Sequence, residues 1–318
     1  MSYSVERVLN HMRVFTSAVA ATLLVMSSNP GSAEESESPS TLELDASQGT
    51  PVINAIVKRQ PVRLALDPVL GRYAAVNPES APRLGLSGYP IGNAAASIDG
   101  AEIKGKVARF GITIDGRKRM VSAALLGRSH LPAGDAQGYD LAGGFEAFPA
   151  DRVVVWLNRG IEGATEQITF TRPGKDKERG FPVSLGGISM RLNFHFANDK
   201  SWLDRQAAQS LVDQGEVEPF GEVRTIPVWF GLDMPVQEVR SRAPLEVNGL
   251  RLQSLQARTS APLVLPEPDD QVIIVTGQRE GKRTPVLLVG AGSLSHCSKM
   301  IFERAAQRLT LSCRKQVP

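Results

Sequence analysis

Asp67 and His195 each stand where a short apolar run gives out, and Asp199 follows four residues after the histidine. The first run is Val62–Leu66, and Asp67 is followed by Pro68, Val69, Leu70 and Gly71; the second is Met190–Phe194, followed by His195 and Phe196. Two carboxylates close enough to share one proton form an acid–base pair, one activating water while the other protonates a carbonyl. Asp67 with Asp199 would supply that chemistry. A histidine facing a carboxylate forms an ion pair instead, in which each partner shifts the pKa of the other, so His195 across a cleft from Asp67 would bind or brace rather than hydrolyse. Plainer readings compete at every position. Asp67 serves equally as a strand-end turn residue, because Pro68 lacks an N–H and fixes φ. His195 can be an ordinary strand histidine between Phe194 and Phe196. Asp199 suffers from its offset, since a strand advances about 3.3 Å per residue and four residues carry a carboxylate out of a shared site. His130 reads as a loop histidine.

The remaining reactive side chains are Cys297 and Cys313. An isolated pair suits a disulfide, which stabilises by about 3 kcal/mol for a loop of this length. A metal site with His296 and free thiols are the alternatives. No C-x-x-C or H-x-x-x-H spacing occurs, so neither a metal nor a cofactor is expected. The glycine run Val286–Ser295 looks like a dinucleotide-binding turn, but Ser295 replaces its third glycine.

The elements that position these residues are short β-rich runs broken by Gly, Pro, Asp-Gly and Asn-Gly. Asp99-Gly100, Asp115-Gly116 and Asn248-Gly249 each predict a hairpin, because these dipeptides accept the positive φ of type I′ turns. Short helices are expected over Pro78–Leu84 and Leu203–Gln214, with a last turn at Ser293–Cys297. The two halves repeat weakly: VRLALD (62–67) is echoed by MRLNFH (190–195), and NPESAPRL (77–84) by DRQAAQSL (204–211). Each half then carries an apolar pair, a glycine, a helical turn and a closing strand. Two similar β units follow from such a duplication.

The run Thr50–Leu86, with its strand into Asp67 and its Leu84-Gly85-Leu86 helix end, resembles the opening of a lobe in the pepsin and retropepsin family of aspartic proteases. That resemblance, extended by the central hairpins where the family carries its flap and by the apolar–apolar–glycine element in each half, implies a mainly β chain with two similar β-barrel lobes, the acid-protease fold, and a few short helices. It also implies an inter-lobe cleft that takes an extended peptide. The family's Asp-Thr-Gly is missing from both halves, since Asp67 precedes Pro68 and His195 stands at the second aspartate's place. The expectation is therefore an impaired or inactive relative that binds a peptide or protein in its cleft, with Asp67 as the candidate catalytic residue, Asp199 as a weaker one and His195 as a binding residue. An active aspartic endopeptidase using Asp67, with Asp199 or with Asp67 of a second copy, and an envelope structural protein are the alternatives.

The first lobe is expected over 48–160, a link over 161–184 and the second lobe over 185–318. Arg7 and Arg13, the apolar stretch Val14–Met26 and Gly31-Ser32-Ala33 form a signal-peptide pattern over 1–33, followed by an acidic, disordered leader over 34–47. The stretch is short for a bilayer-spanning anchor. Export, to the periplasm of a Gram-negative bacterium, is the expected destination. The 318 residues include 42% hydrophobic and 22% charged residues with a net charge of +3, an ordinary globular composition. The scattered basic residues exclude a nucleic-acid footprint.

Overall fold

The structure is a computed structural model and describes residues 39–89, 93–98, 101–131, 138–161, 165–173, 180–259, 263 and 284–315. The signal-peptide pattern, the start of the acidic leader and the Asp99-Gly100 turn lie outside these residues. The chain is mainly β. Its first half contains β1 (Thr41–Asp45), β2 (Val52–Val57), β3 (Gln60–Leu66), β4 (Tyr73–Val76), helix α1 (Ser80–Arg83), β5 (Asn93–Ile98), β6 (Ala101–Ile114), β7 (Arg117–Leu125), β8 (Leu141–Gly143) and β9 (Arg152–Trp156). The second contains β10 (Thr165–Thr171), β11 (Phe181–Leu185), β12 (Ile188–His195), β13 (Ser201–Leu203), helix α2 (Arg205–Asp213), β14 (Val217–Pro227), β15 (Asp233–Ser241), β16 (Glu246–Val247), β17 (Leu250–Arg251), β18 (Leu255–Arg258), β19 (Val286–Gly290), β20 (Cys297–Glu303) and β21 (Arg308–Arg314).

The duplication extends to the strand order. One seven-stranded sheet runs β2-β3-β8-β4-β7-β6-β5 and the other β11-β12-β19-β13-β18-β15-β14. Matched position by position, the two sheets have the same connectivity, with β16 and β17 as an insertion in the second. The parallel pairs also coincide, β3 with β8 and β4 with β7 in one sheet, β12 with β19 and β13 with β18 in the other. A difference lies at the edge: β2 also pairs with β6, closing the first sheet into a barrel. A five-stranded sheet, β1-β9-β20-β21-β10, joins strands from both halves.

Alternation explains the strands individually. In β10 only Ile168 and Phe170 turn inward, and in β11 Phe181, Val183 and Leu185 do, the period-two pattern of a half-buried strand. The expected type I′ turns form where described: Asp115-Gly116 has φ of 49° and 77°, and Asn248-Gly249 has 51° and 88°. Helix α2 starts where Asp204 accepts the Ala207 amide at 2.8 Å, an N-cap bond. Its other carboxylate oxygen takes the Val286 amide at 2.7 Å, tying the helix to β19.

Two expected boundaries need correction. The leader over 34–47 is not disordered throughout, because Leu42 and Leu44 of β1 are buried against the core and β1 pairs in parallel with β9. The link over 161–184, in which the sequence suggests one strand over Gln167–Thr171, holds that strand as β10, and the first strand of the second sheet, β11, begins at Phe181 rather than after 184.

Candidate functional site

Asp67 sits one residue past β3 and caps a 3₁₀ turn, Pro68–Leu70. Its amide donates to the Gly143 carbonyl at 2.9 Å, and its Oδ1 accepts the Val69 amide at 3.0 Å. Proline at the first position of the turn leaves Val69 as the first amide needing a partner, which is why an aspartate fits there. The equivalent place in the second sheet can be counted from the glycines. Gly144 and Gly290 each precede a 3₁₀ turn, Phe145–Ala147 and Ala291–Leu294. Leu66 pairs with Gly143 and His195 with Gly290. Asp67 and His195 are therefore structural equivalents, as the sequence repeat suggests.

The same counting locates Asp199. Gly71 O accepts the Glu146 amide, and Asp199 O accepts the Gly292 amide at 3.0 Å. Asp199 thus occupies the place of Gly71, on the far side of its loop, and its side chain is exposed. These loops cross the glycines closely. A Cβ on Gly144 would lie 2.0 Å from Gly71 O, and one on Gly290 would lie 2.4 Å from Lys200 O. Backbone touches backbone, so only glycine is tolerated there. Among the described residues no hydrogen bond joins Asp67 to Asp199.

What meets Asp67 comes from two loops that were not expected to meet. His130 Nε2 lies 2.6 Å from Asp67 Oδ2, and Trp229 Nε1 donates to the same oxygen at 3.1 Å. An ionised carboxylate only accepts, so Nε2 of His130 carries the proton. His130 follows β7 in the first half; Trp229 is at the tip of the β14–β15 hairpin in the second. Asp67 is 2% exposed and His130 is fully buried. Burial pushes the Asp67 carboxyl up, but the His130 hydrogen bond and the charges of His130 and His195 outweigh it, leaving the group below the usual carboxylate range.

His195 completes the cluster through Trp229, their rings 4.6 Å apart edge to face, while Trp202 contacts Trp229 at 5.5 Å. Its pKa falls to about 4, chiefly through burial, with the Asp67 charge opposing and that of His130 adding to the fall. His195 Nε2 and His130 Nδ1 have no hydrogen-bond partner among the described residues.

The hairpin tip is wedged in rather than resting on the surface. Val228, Trp229 and Phe230 are all buried, in a cluster that also holds Val69 and Leu126 of the first half and Trp202 and Leu288 of the second. The Phe230 amide donates to the His130 carbonyl at 3.0 Å, and the two rings lie 4.9 Å apart. Phe230 has φ of 61°, a conformation costing a bulky residue about 1–3 kcal/mol unless its surroundings enforce it. The sequence places His130 in a loop, where it stands, but does not mark it as a partner of Asp67, and it does not single out Trp229. The available signal was the apolar tip Val228-Trp229-Phe230 in place of a polar turn.

Cys297 and Cys313 face each other across β20 and β21 at disulfide-bonding distance, 2.07 Å between sulfurs. Among the described residues, these two and His296 form the only group of three or more ligand-type side chains with their ligand atoms within 4.8 Å of one another. Their sulfurs are committed to each other in this state. No helix among the described residues is long and apolar enough to cross a membrane. No protein-family model matches the chain, and no curated protein is similar to it.

Proposed function

We propose that this is an exported protein with the acid-protease fold in which the former catalytic centre has become a sealed joint between two lobes, so that it does not act as a peptidase. The carrying observation is that Asp67 Oδ2 receives both His130 and Trp229 while Oδ1 receives Val69. Peptide hydrolysis on this fold needs a water held between two carboxylates. Here the water's position beside Asp67 is taken by protein donors, and the equivalent residue of the other half is His195. The repeated strand order and the shared five-stranded sheet support the fold assignment. Export rests on the pattern over 1–33, and the cysteine pair accords with an oxidising compartment.

The extended peptide that the resemblance implies would have to enter where Trp229 and Phe230 sit. In this reading the chain's own β14–β15 hairpin occupies that place, and binding to the cleft requires the hairpin to lift. The decisive assay is cleavage of an unfolded protein substrate at acid pH by the full exported chain and by Asp67→Asn. No cleavage by either is expected. Cleavage abolished by Asp67→Asn would establish the aspartic endopeptidase instead. Amino-terminal sequencing of the protein recovered from cells tests export, with removal of about the first 33 residues expected.

A further inference from the structure

On the outer face of the first barrel, where β2 closes against β6, lies a groove of about 370 Å³ lined by Ile56, Lys58, Arg59, Arg109, Gly111 and Lys118, with Phe110 and Thr113. We propose that this groove binds the phosphate groups of an anionic phospholipid surface. It shares no residue with the Asp67 cluster, so the proposal stands whether or not that centre is catalytic.

The register puts these side chains on one face. Thr113 is opposite both Ile56 and Lys118, and Gly111 is opposite Met120. Arg109, Gly111 and Thr113 alternate along β6 and so point the same way. The result is a face with Ile56 among cations and no carboxylate lining the groove. Between Thr113 and Met120 the only acid is Asp115, against Arg117, Lys118 and Arg119. Ile56 is 48% exposed and Met120 50%, two of the most exposed large apolar residues among those described. Cations beside protruding apolar side chains suit a phosphate-rich surface over hydrocarbon.

Two backbone features indicate that the cations are held there at a cost. The β2–β3 turn consists of Lys58 and Arg59 with φ of 47° and 68°. Its equivalent in the second half, between β11 and β12, has nearly the same geometry, 55° and 73°, but is made of Gly186 and Gly187. One turn thus uses the residues that accept positive φ freely, and the other places two long cations in the same disfavoured conformation. Next to it, a Cβ on Gly111 would lie 2.3 Å from Lys118 Cε. The glycine leaves room for the Lys118 chain to lie across the groove. Lys58 Nζ is anchored by the Gly85 carbonyl at 2.6 Å, which fixes its direction without neutralising it.

The test is co-sedimentation of the full mature chain with vesicles of phosphatidylcholine alone, or of phosphatidylcholine with phosphatidylglycerol, at low and high salt. Binding to the phosphatidylglycerol vesicles only, weakened by salt, is expected. With each cation near such a surface contributing about a fivefold effect, Lys58→Asn/Arg59→Gly should weaken it about thirtyfold, and Arg109→Glu/Lys118→Glu more. The first variant relieves the strained turn, so it should bind less while unfolding at higher denaturant, a combination that a merely structural role for these cations does not produce. Binding equal on neutral vesicles, binding unaffected by Lys58→Asn/Arg59→Gly, or saturable uptake of pyrophosphate without vesicle binding would each overturn the proposal.

Discussion

At the end of its second strand the first half places Asp67 and the second half His195, and everything around these two equivalents differs. Asp67 begins a proline-started turn and accepts three hydrogen bonds, two of them from side chains of distant loops. His195 ends its strand without a turn cap, in contact with Trp202 and Trp229, and leaves Nε2 without a partner. The β14–β15 hairpin, whose tip reads Val228-Trp229-Phe230, drives that apolar tip into the centre. The same connectivity thus carries an acceptor in one half and, in the other, the wedge that satisfies it. The lesson is that a duplicated fold constrains where residues stand, while the loops decide what those positions can do.

The largest way to break this comparison is to remove the wedge. Trp229→Ala should lower the unfolding free energy by about 3–5 kcal/mol, through the lost ring volume and the lost donor to Asp67. Urea denaturation measures it. Trp229→Phe keeps most of the packing and should cost less, about 1–3 kcal/mol for the unmet acceptor. A cost below about 1 kcal/mol for the alanine variant would mean that the tip does not hold the halves together.

Asp67→Asn comes next. The amide keeps the shape but sets a donor against one of His130, Trp229 or Val69, and removes the charge that burial tolerates only because of those partners. Breaking a buried pair in this way costs about 3 kcal/mol. Asp199→Asn, at the exposed position equivalent to Gly71, should change stability by no more than about 0.5 kcal/mol. If the two substitutions were equally costly, the contrast drawn between the loops would fail.

The pH dependence sharpens the contrast. His195 titrates near 4 in the folded chain against about 6.5 when unfolded, so the unfolded state binds more protons between these values. Stability should therefore fall as pH drops from about 6.5 to 4, by about 3 kcal/mol, and this contribution should flatten below 4. His195→Gln should remove the slope. His195→Asp should reverse it, because a buried carboxyl near Asp67 has a raised pKa and the folded state then holds the extra proton. Chemical denaturation across the window, compared for the three proteins, reads the sign directly. Asp67 contributes further loss only below the ordinary carboxylate range, since its folded pKa is depressed.

Much of the fold was legible in the sequence because turns and alternation are local. Asp115-Gly116 and Asn248-Gly249 announced their hairpins, and the echo of VRLALD in MRLNFH identified Asp67 and His195 as equivalents. The joint was not legible. His130 and Trp229 are 63 and 162 residues from Asp67, and nothing local marks a histidine or a tryptophan as the partner of a remote carboxylate. The leader strand was missed for a different reason: Leu42 and Leu44 alternate correctly, but five residues in an acidic stretch look like tail until β9 is there to pair with them.

The smallest effect concerns the β2–β3 turn and its counterpart, where the halves share a conformation and not a composition. Replacing Lys58-Arg59 by Asn-Gly should stabilise the protein by about 1 kcal/mol, because the native φ values are already those such residues prefer. The reciprocal change, Gly187→Ala in the second half, should cost about 1 kcal/mol, and the cost is conformational alone, since a Cβ there meets nothing within 4 Å. Both are read from the denaturation midpoint. If Asn-Gly failed to stabilise, favourable contacts of the Lys58 and Arg59 side chains would have to offset the strain, and the turn would then be explained by stability. A gain in stability leaves the two cations requiring a role outside the fold, on the outer face where they stand with Arg109 and Lys118.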